Sequence, residues 1–203
     1  MEEQKQKLRL FVGVRISVAA AEAIAKSAEA LRHAARQRGL KARWVAPENY
    51  HITLKFLGWS HAPMVGVLDD AIAEALEGAA AFELETRGLG AFPSPAKARV
   101  LWAGASDPEG TLTDLAGRVE AAAQKLGYEA EARAFHPHVT IARLKRPADV
   151  TDLLEEASEQ EFRGTWVDSV VLFESEVKST GSEYVPRAIW SLDRPGSGLG
   201  RQT

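Results

Sequence analysis

Cysteine is absent from the 203-residue chain. That removes a disulfide framework, a cysteine nucleophile and any thiolate zinc site at once. It suits a reducing compartment such as the cytoplasm. Long apolar runs are also missing, and no stretch approaches the roughly 18 residues of a membrane helix. The opening MEEQKQKLRLF is charged and lacks the apolar centre of a signal peptide. There is no excess of positive charge either, since the formal net charge is −3. The molecule as a whole is therefore no general polyanion binder, and any nucleic-acid contact has to come from a local basic patch. What is present is ordinary for a globular protein. Hydrophobic residues make up 45% and charged residues 26%, and a chain of this length can close a core without staples.

Patterning places the elements. Leu8, Leu10, Val12 and Val14 share one parity and read as a strand. Ala23, Ile24, Ala28 and Leu31 fall at helical spacing in an alanine-rich stretch, so a helix is expected over 19–38, closed by Gly39. A short strand follows at 41–45. Pro47 breaks it, and a second strand, HITLKFL, runs over 51–57 to Gly58. Further helices are expected at 63–78, 109–126 and 148–159. Strands are expected at 82–87, 99–104, 138–144, 165–176 and 184–192, the first two joined by a Gly/Pro-rich loop from Gly88 to Pro95. The tail 195–203, rich in Gly and Ser, reads as loose. These elements predict an α+β fold. The two halves echo each other, each with a His-x-Thr strand flanked by helices. The expected picture is one bilobal domain over 1–194, with two similar lobes whose antiparallel-rich sheets face a central cleft and whose helices lie outside.

The echo carries the chemistry. HITL occupies 51–54 and HVTI occupies 138–141. In a strand, residues i and i+2 share a face. His51 and Thr53 then look one way while Ile52 and Leu54 enter the core, and His138 and Thr140 repeat this against Val139 and Ile141. Two such pairs across a cleft offer two imidazoles and two hydroxyls to one small group. A phosphodiester fits. Its free oxygens need donors, which the threonines supply, and its cleavage needs a base and an acid, which the histidines supply. A catalytic metal is not expected, because neither motif strand contains Asp or Glu and His136-Pro-His138 alone is too few ligands.

The segments RWVAPENYHITLKFLG (43–58), GLGAFPSPAKARVLW (88–102) and EARAFHPHVTIAR (131–143) resemble the bacterial RNA 2′,3′-cyclic phosphodiesterases. These belong to the two-histidine phosphoesterase superfamily and were formerly described as 2′-5′ RNA ligases. RLFVGV (9–14) and VVLFES (170–175) fit as well, so the resemblance spans residues 9 to about 192. It implies a bilobal fold, no metal or cofactor, and hydrolysis of an RNA terminal 2′,3′-cyclic phosphate to a 2′-phosphate. It implies His138 as base and His51 as acid; the two motifs alone are too symmetric to rank them. Thr53 and Thr140 are the expected phosphate contacts. Expected partners are RNA ends carrying the cyclic phosphate, tRNA fragments among them, acted on by a cytoplasmic monomer.

Three further residues are candidate substrate contacts. Arg143 matches a family arginine that approaches the nucleotide, but its parity is opposite to His138, so it reaches the cleft only if the strand bulges. Arg133 is a candidate for the phosphate, against a salt bridge. Phe11 is a candidate base platform, although related sequences often carry two aromatics in this strand and here Val12 follows. Lys41, Arg43, Lys145 and Arg146 could form a basic rim. Trp44 and Trp102 read as core, His33 and His61 as exposed. Three other functions remain open on sequence: 2′-5′ RNA ligation as the reverse reaction, a non-catalytic nucleotide- or RNA-binding module, and hydrolysis of small cyclic phosphates.

Overall fold

The computed structural model describes residues 6–178 and 181–194; the tail expected to be loose lies outside them. Among the described residues, nine strands and four helices follow the expected order: β1 (Lys7–Arg15), α1 (Val18–Gln37), β2 (Ala42–Trp44), β3 (His51–His61), α2 (Met64–Ala75), β4 (Phe82–Phe92), β5 (Ala98–Ser106), α3 (Thr111–Lys125), β6 (His138–Ala148), α4 (Thr151–Leu154), β7 (Thr165–Val167), β8 (Ser169–Lys178) and β9 (Gly181–Ser191). All ladders between these strands are antiparallel, in the order β7-β4-β5-β6-β3-β1-β8-β9, with β2 beside β6. The sheet curls into a half-barrel with the helices outside, as the α+β reading expects.

The order has an internal logic. Each half of the chain reads strand, helix, His-x-Thr strand, helix, strand: β1-α1-β3-α2-β4, then β5-α3-β6-α4-β8. The last strand of each half crosses over. β4 pairs with β5 of the second half, and β8 pairs with β1 of the first. The two halves thus exchange a strand and meet where β3 pairs with β6. Each half completes its share of the sheet with a strand of the other.

The convex face of the sheet and the helices form the main core. Leu8, Leu10, Val12 and Val14 of β1 pack there with Ile24, Ala28 and Leu31 of α1 and with Leu112, Leu115 and Val119 of α3. Ser17 caps α1, its hydroxyl accepting from the Ala20 amide. Ile52 and Val139 are buried between the motif residues, each contributing about 1.5–3 kcal/mol by leaving water. The concave face is left for function.

Several boundaries differ from expectation; β6, for one, runs to Ala148, four residues past its expected end. β3 and β4 do not stop at Gly58 and Gly88. Both glycines take positive φ and the strands run on, to His61 and Phe92. At Gly88 the ladder with β5 shifts register, and a Cβ would fall 2.5 Å from the Ser158 carbonyl. It marks a bulge, not a turn. The helix expected over 148–159 is only the turn α4 followed by a 3-10 turn at Glu155–Ala157. The stretch EEASEQ has no apolar stripe to hold a longer helix. The strand expected at 165–176 divides at Asp168, sending β7 to β4 and β8 to β1.

Candidate active site

β3 and β6 pair at one position, Ile52 with Val139. Continuing the antiparallel register one residue each way sets His51 across from Thr140 and Thr53 across from His138. The strands part beyond the pair, so these four side chains ring an opening on the concave face. The local pseudo-twofold relation of the two motifs exchanges Ile52 with Val139 across this pair.

Both imidazoles are oriented alike. Nδ1 of His51 lies 2.7 Å from the Asn49 carbonyl oxygen, and Nδ1 of His138 lies 2.7 Å from the His136 carbonyl oxygen. A carbonyl only accepts, so each Nδ1 carries hydrogen and each neutral ring presents Nε2 as an acceptor. The surroundings then differ. Nε2 of His51 is 3.1 Å from the Thr53 hydroxyl; the second motif makes no matching bond. The His51 ring lies 4.7 Å from Phe11 and 5.0 Å from Tyr184, with Phe173 behind. His138 lies 5.0 Å from Phe92, which also meets His136 and Trp102.

The enclosure sets the charge. Burial pushes His51 down from 6.5 to about 4; its bond to the Asn49 carbonyl opposes this, and the positive charge of His138 and Arg143 adds to it. Burial also lowers His138, again against its carbonyl bond and with help from His136, Arg143 and Arg133. The free protein therefore holds both rings neutral near pH 7.

Arg143 reaches the cleft side by the bulge that its parity required. Leu101 pairs with Ala142 but Trp102 pairs with Thr140, so Ile141 is the extra residue on β6. Ile141 and Ala142 are buried in succession and the alternation reverses at Arg143, which returns to the face of His138 and Thr140. Arg43, its partner on β2, joins it there. Arg133 forms the salt bridge instead. Its guanidinium holds Glu131 at 2.9 Å and stays 86% exposed, although its charge reaches His138. Phe11 is 3% exposed, beneath His51 and against Phe173. It braces the imidazole and has no free face for a base. Trp44 packs on the core as expected, whereas Trp102 stands on the cleft wall. Lys41, Arg43, Lys145 and Arg146 are exposed, as are His33 and His61, the latter at the end of β3. Among the described residues no three His, Asp or Glu side chains converge as a metal site.

Sequence reading missed several cleft residues. Arg15 stands opposite His51 and Gly13 opposite Thr53. Gly13 is required by closeness: a Cβ there would meet the Ile52 carbonyl at 2.6 Å. Both share the parity of Phe11, so the odd positions of β1 carried the signal. Phe173, Tyr184 and Phe92 gave none, because their strands reach the site only through the crossover.

The model of the 2′-5′ RNA ligase superfamily matches residues 20–178. A protein of Aeropyrum pernix named RNA 2′,3′-cyclic phosphodiesterase is 32% identical over 171 residues, covering 83% of this chain and 95% of that one. One of the same name from Methanothermobacter thermautotrophicus is 30% identical over 189 residues, covering 92% and 100%. A solved structure from Thermus thermophilus superposes with a TM-score of 0.76 at 26% identity, covering 93% of this chain and all of that one. Escherichia coli LigT complexed with 3′-AMP shares the fold, with a TM-score of 0.69 at 23% identity over 92% of this chain and 99% of its own. The described helices include none long and apolar enough to cross a membrane. On the family match and these relatives, the chain belongs to the 2′-5′ RNA ligase superfamily.

Proposed function

We propose that this enzyme hydrolyses RNA terminal 2′,3′-cyclic phosphates to 2′-phosphates through His51 and His138, without a metal. One observation carries the reading: two His-x-Thr strands meet antiparallel at Ile52 and Val139, with both Nδ1 atoms tethered to carbonyls. Each ring is thereby left with one working nitrogen.

In the reaction, a water oxygen attacks phosphorus while one neutral Nε2 takes its proton. The bond from phosphorus to the 3′ oxygen breaks, and the other imidazolium gives that oxygen a proton. Water is divided between a 3′ hydroxyl and a 2′-phosphate, and the histidines exchange protonation states. Thr53, Thr140 and Arg143 hold the non-bridging oxygens, each such bond worth roughly 1.5–3 kcal/mol. The resemblance allots the acid to His51 and the base to His138. Burial lowers the pKa of both rings. Both one-proton states contribute to the same pH profile, so NMR of the two rings, not kinetics, reads their occupancy.

The exchanged strands support residues 1–194 as one domain. The proposed substrates are RNA ends, tRNA fragments among them, and the proposed state is a cytoplasmic monomer; the cysteine-free sequence suits a reducing compartment. The deciding experiment incubates the protein, in excess EDTA, with a short RNA ending in 2′,3′-cyclic phosphate. The product expected by phosphorus NMR is the 2′-phosphate. A 3′-phosphate reverses the substrate's orientation; activity lost on chelation and restored by a divalent ion removes the metal-free mechanism; binding without turnover leaves a binding module.

A further inference from the structure

The β1/β3 ladder continues the active-site face well past His51. Its residues pair across the two strands in rows on the concave side: Arg15 with His51, Gly13 with Thr53, Phe11 with Phe56, Arg9 with Trp59, and Lys7 with His61. Two bulges in β3, at Leu54 and Leu57, keep the rows in step where plain alternation would have turned Phe56 away. Beyond Phe11 the rows open outward. Phe56 is 49% exposed and Trp59 is 69% exposed. The Arg9 guanidinium lies over the Phe56 ring, 4.9 Å from its centre. A groove of about 480 Å³ runs beside them, between residues 56–59 and 127–129.

Exposed aromatics of this size are not left in water without cost, and here two sit beside arginine on a line from the phosphate site. We infer that this ladder is the track for the RNA strand upstream of the cyclic phosphate, with bases stacking on Phe56 and Trp59 and phosphates over Lys7, Arg9 and Arg15. The inference rests on the phosphodiesterase reading and extends it to substrate length. Successive rows are about 6.8 Å apart along β1, comparable to the reach of one extended nucleotide. The occupant is a single strand because every base offers a π-face to an aromatic platform, whereas a duplex hides them. Polarity follows from the substrate: the cyclic phosphate is the 3′ end, so only the 5′ side can run out along the ladder.

The test compares kcat/KM for a nucleoside 2′,3′-cyclic phosphate with that for a tetranucleotide ending in the same group. Wild type should prefer the tetranucleotide by about tenfold or more. The double variant Phe56→Ala/Trp59→Ala should lose that preference and keep the wild-type rate on the mononucleotide, which also reports an intact fold. The preference should fall as salt rises. The track is refuted if wild type shows no preference, if the variant keeps it, or if the variant loses rate equally on both substrates. A change in oligomeric state with no length effect also refutes it and assigns the patch to a protein partner. Should wild type hydrolyse neither substrate, the proposed function fails, and the track is judged by binding of a labelled tetranucleotide ending in a 2′-phosphate: tenfold weaker binding by the variant upholds it, and equal binding overturns it.

Discussion

The two halves carry HITLKF and HVTIAR at matching places and use them differently. Both begin with a tethered histidine, bury the next residue, present a threonine, and bulge one residue later, at Leu54 and Ile141. After the bulge they diverge. The position turned to the core is Lys55 in one half and Ala142 in the other; the one turned back to the cleft is Phe56 in one and Arg143 in the other. The repeated part is what phosphate chemistry needs on both sides of a symmetric group. The divergent part falls where the RNA itself is asymmetric: a cation beside the terminal phosphate, an aromatic surface where the strand leaves.

The shared part breaks with the largest effect. His51→Ala and His138→Ala should each lower turnover by about 10²–10⁴-fold, the scale of losing a general acid or base. The double variant should be far less than multiplicatively worse, because the pair acts in one step. Wild-type turnover in either single variant would refute the assignment.

Lys55 tests the divergent core position. Its ammonium is buried and bonds Glu120 at 2.7 Å and the Glu129 carbonyl at 2.6 Å, while Glu120 also accepts from the Glu131 amide. Burial pushes the Glu120 carboxyl up, yet bonds from Lys55, Gln124 and Glu131 hold it below the usual range. The network ties the first motif's strand to the segment leading into the second. Lys55→Ala, which leaves Glu120 without its cation, should cost about 3–5 kcal/mol, measured by denaturant unfolding. Ala142 has no such duty, and Ala142→Gly should cost far less.

Thr53→Ala and Thr140→Ala should each cost about 10- to 100-fold in kcat/KM, one charge-assisted contact apiece. Thr53→Ala should be the worse, because only Thr53 also bonds its own motif's imidazole. Equal losses would mean that this bond does nothing for catalysis.

The site was legible where local pattern sufficed. The His-x-Thr period placed four side chains on one face, and parity showed that Arg143 needed a bulge. What stayed hidden came from contacts between distant segments. Phe173 and Tyr184 enclose His51 only because β8 crosses back to β1, and Phe92 reaches His138 only because β4 runs through Gly88. Phe11 looked like a free platform because a sequence does not display what covers a ring. Gly58 and Gly88 carried the usual sign of a turn, yet strand pairing continues on both sides of each, with Gly58 paired next to the bulge at Leu57 and Gly88 itself the extra residue.

The smallest expected effect is the most specific to the comparison, because it isolates the two walls. Burial holds His51 down at about 4 and also lowers His138 from its ordinary value. Activity on free substrate needs one proton shared by the pair. As pH falls from neutrality the first proton enters and kcat/KM rises; once the second enters it falls. The kcat/KM optimum should therefore lie on the acid side of 6.5. The optimum for kcat should lie higher, because a bound phosphate anion favours both imidazolium ions. Trimming one wall should then move one ring. Phe173→Leu admits water beside His51 and should raise its pKa while leaving His138 in place; Phe92→Leu should do the reverse. Proton NMR of the two rings reads both shifts. If either change moves both histidines equally, the rings answer to their mutual charge and not to separate walls, and the asymmetry drawn between the halves fails.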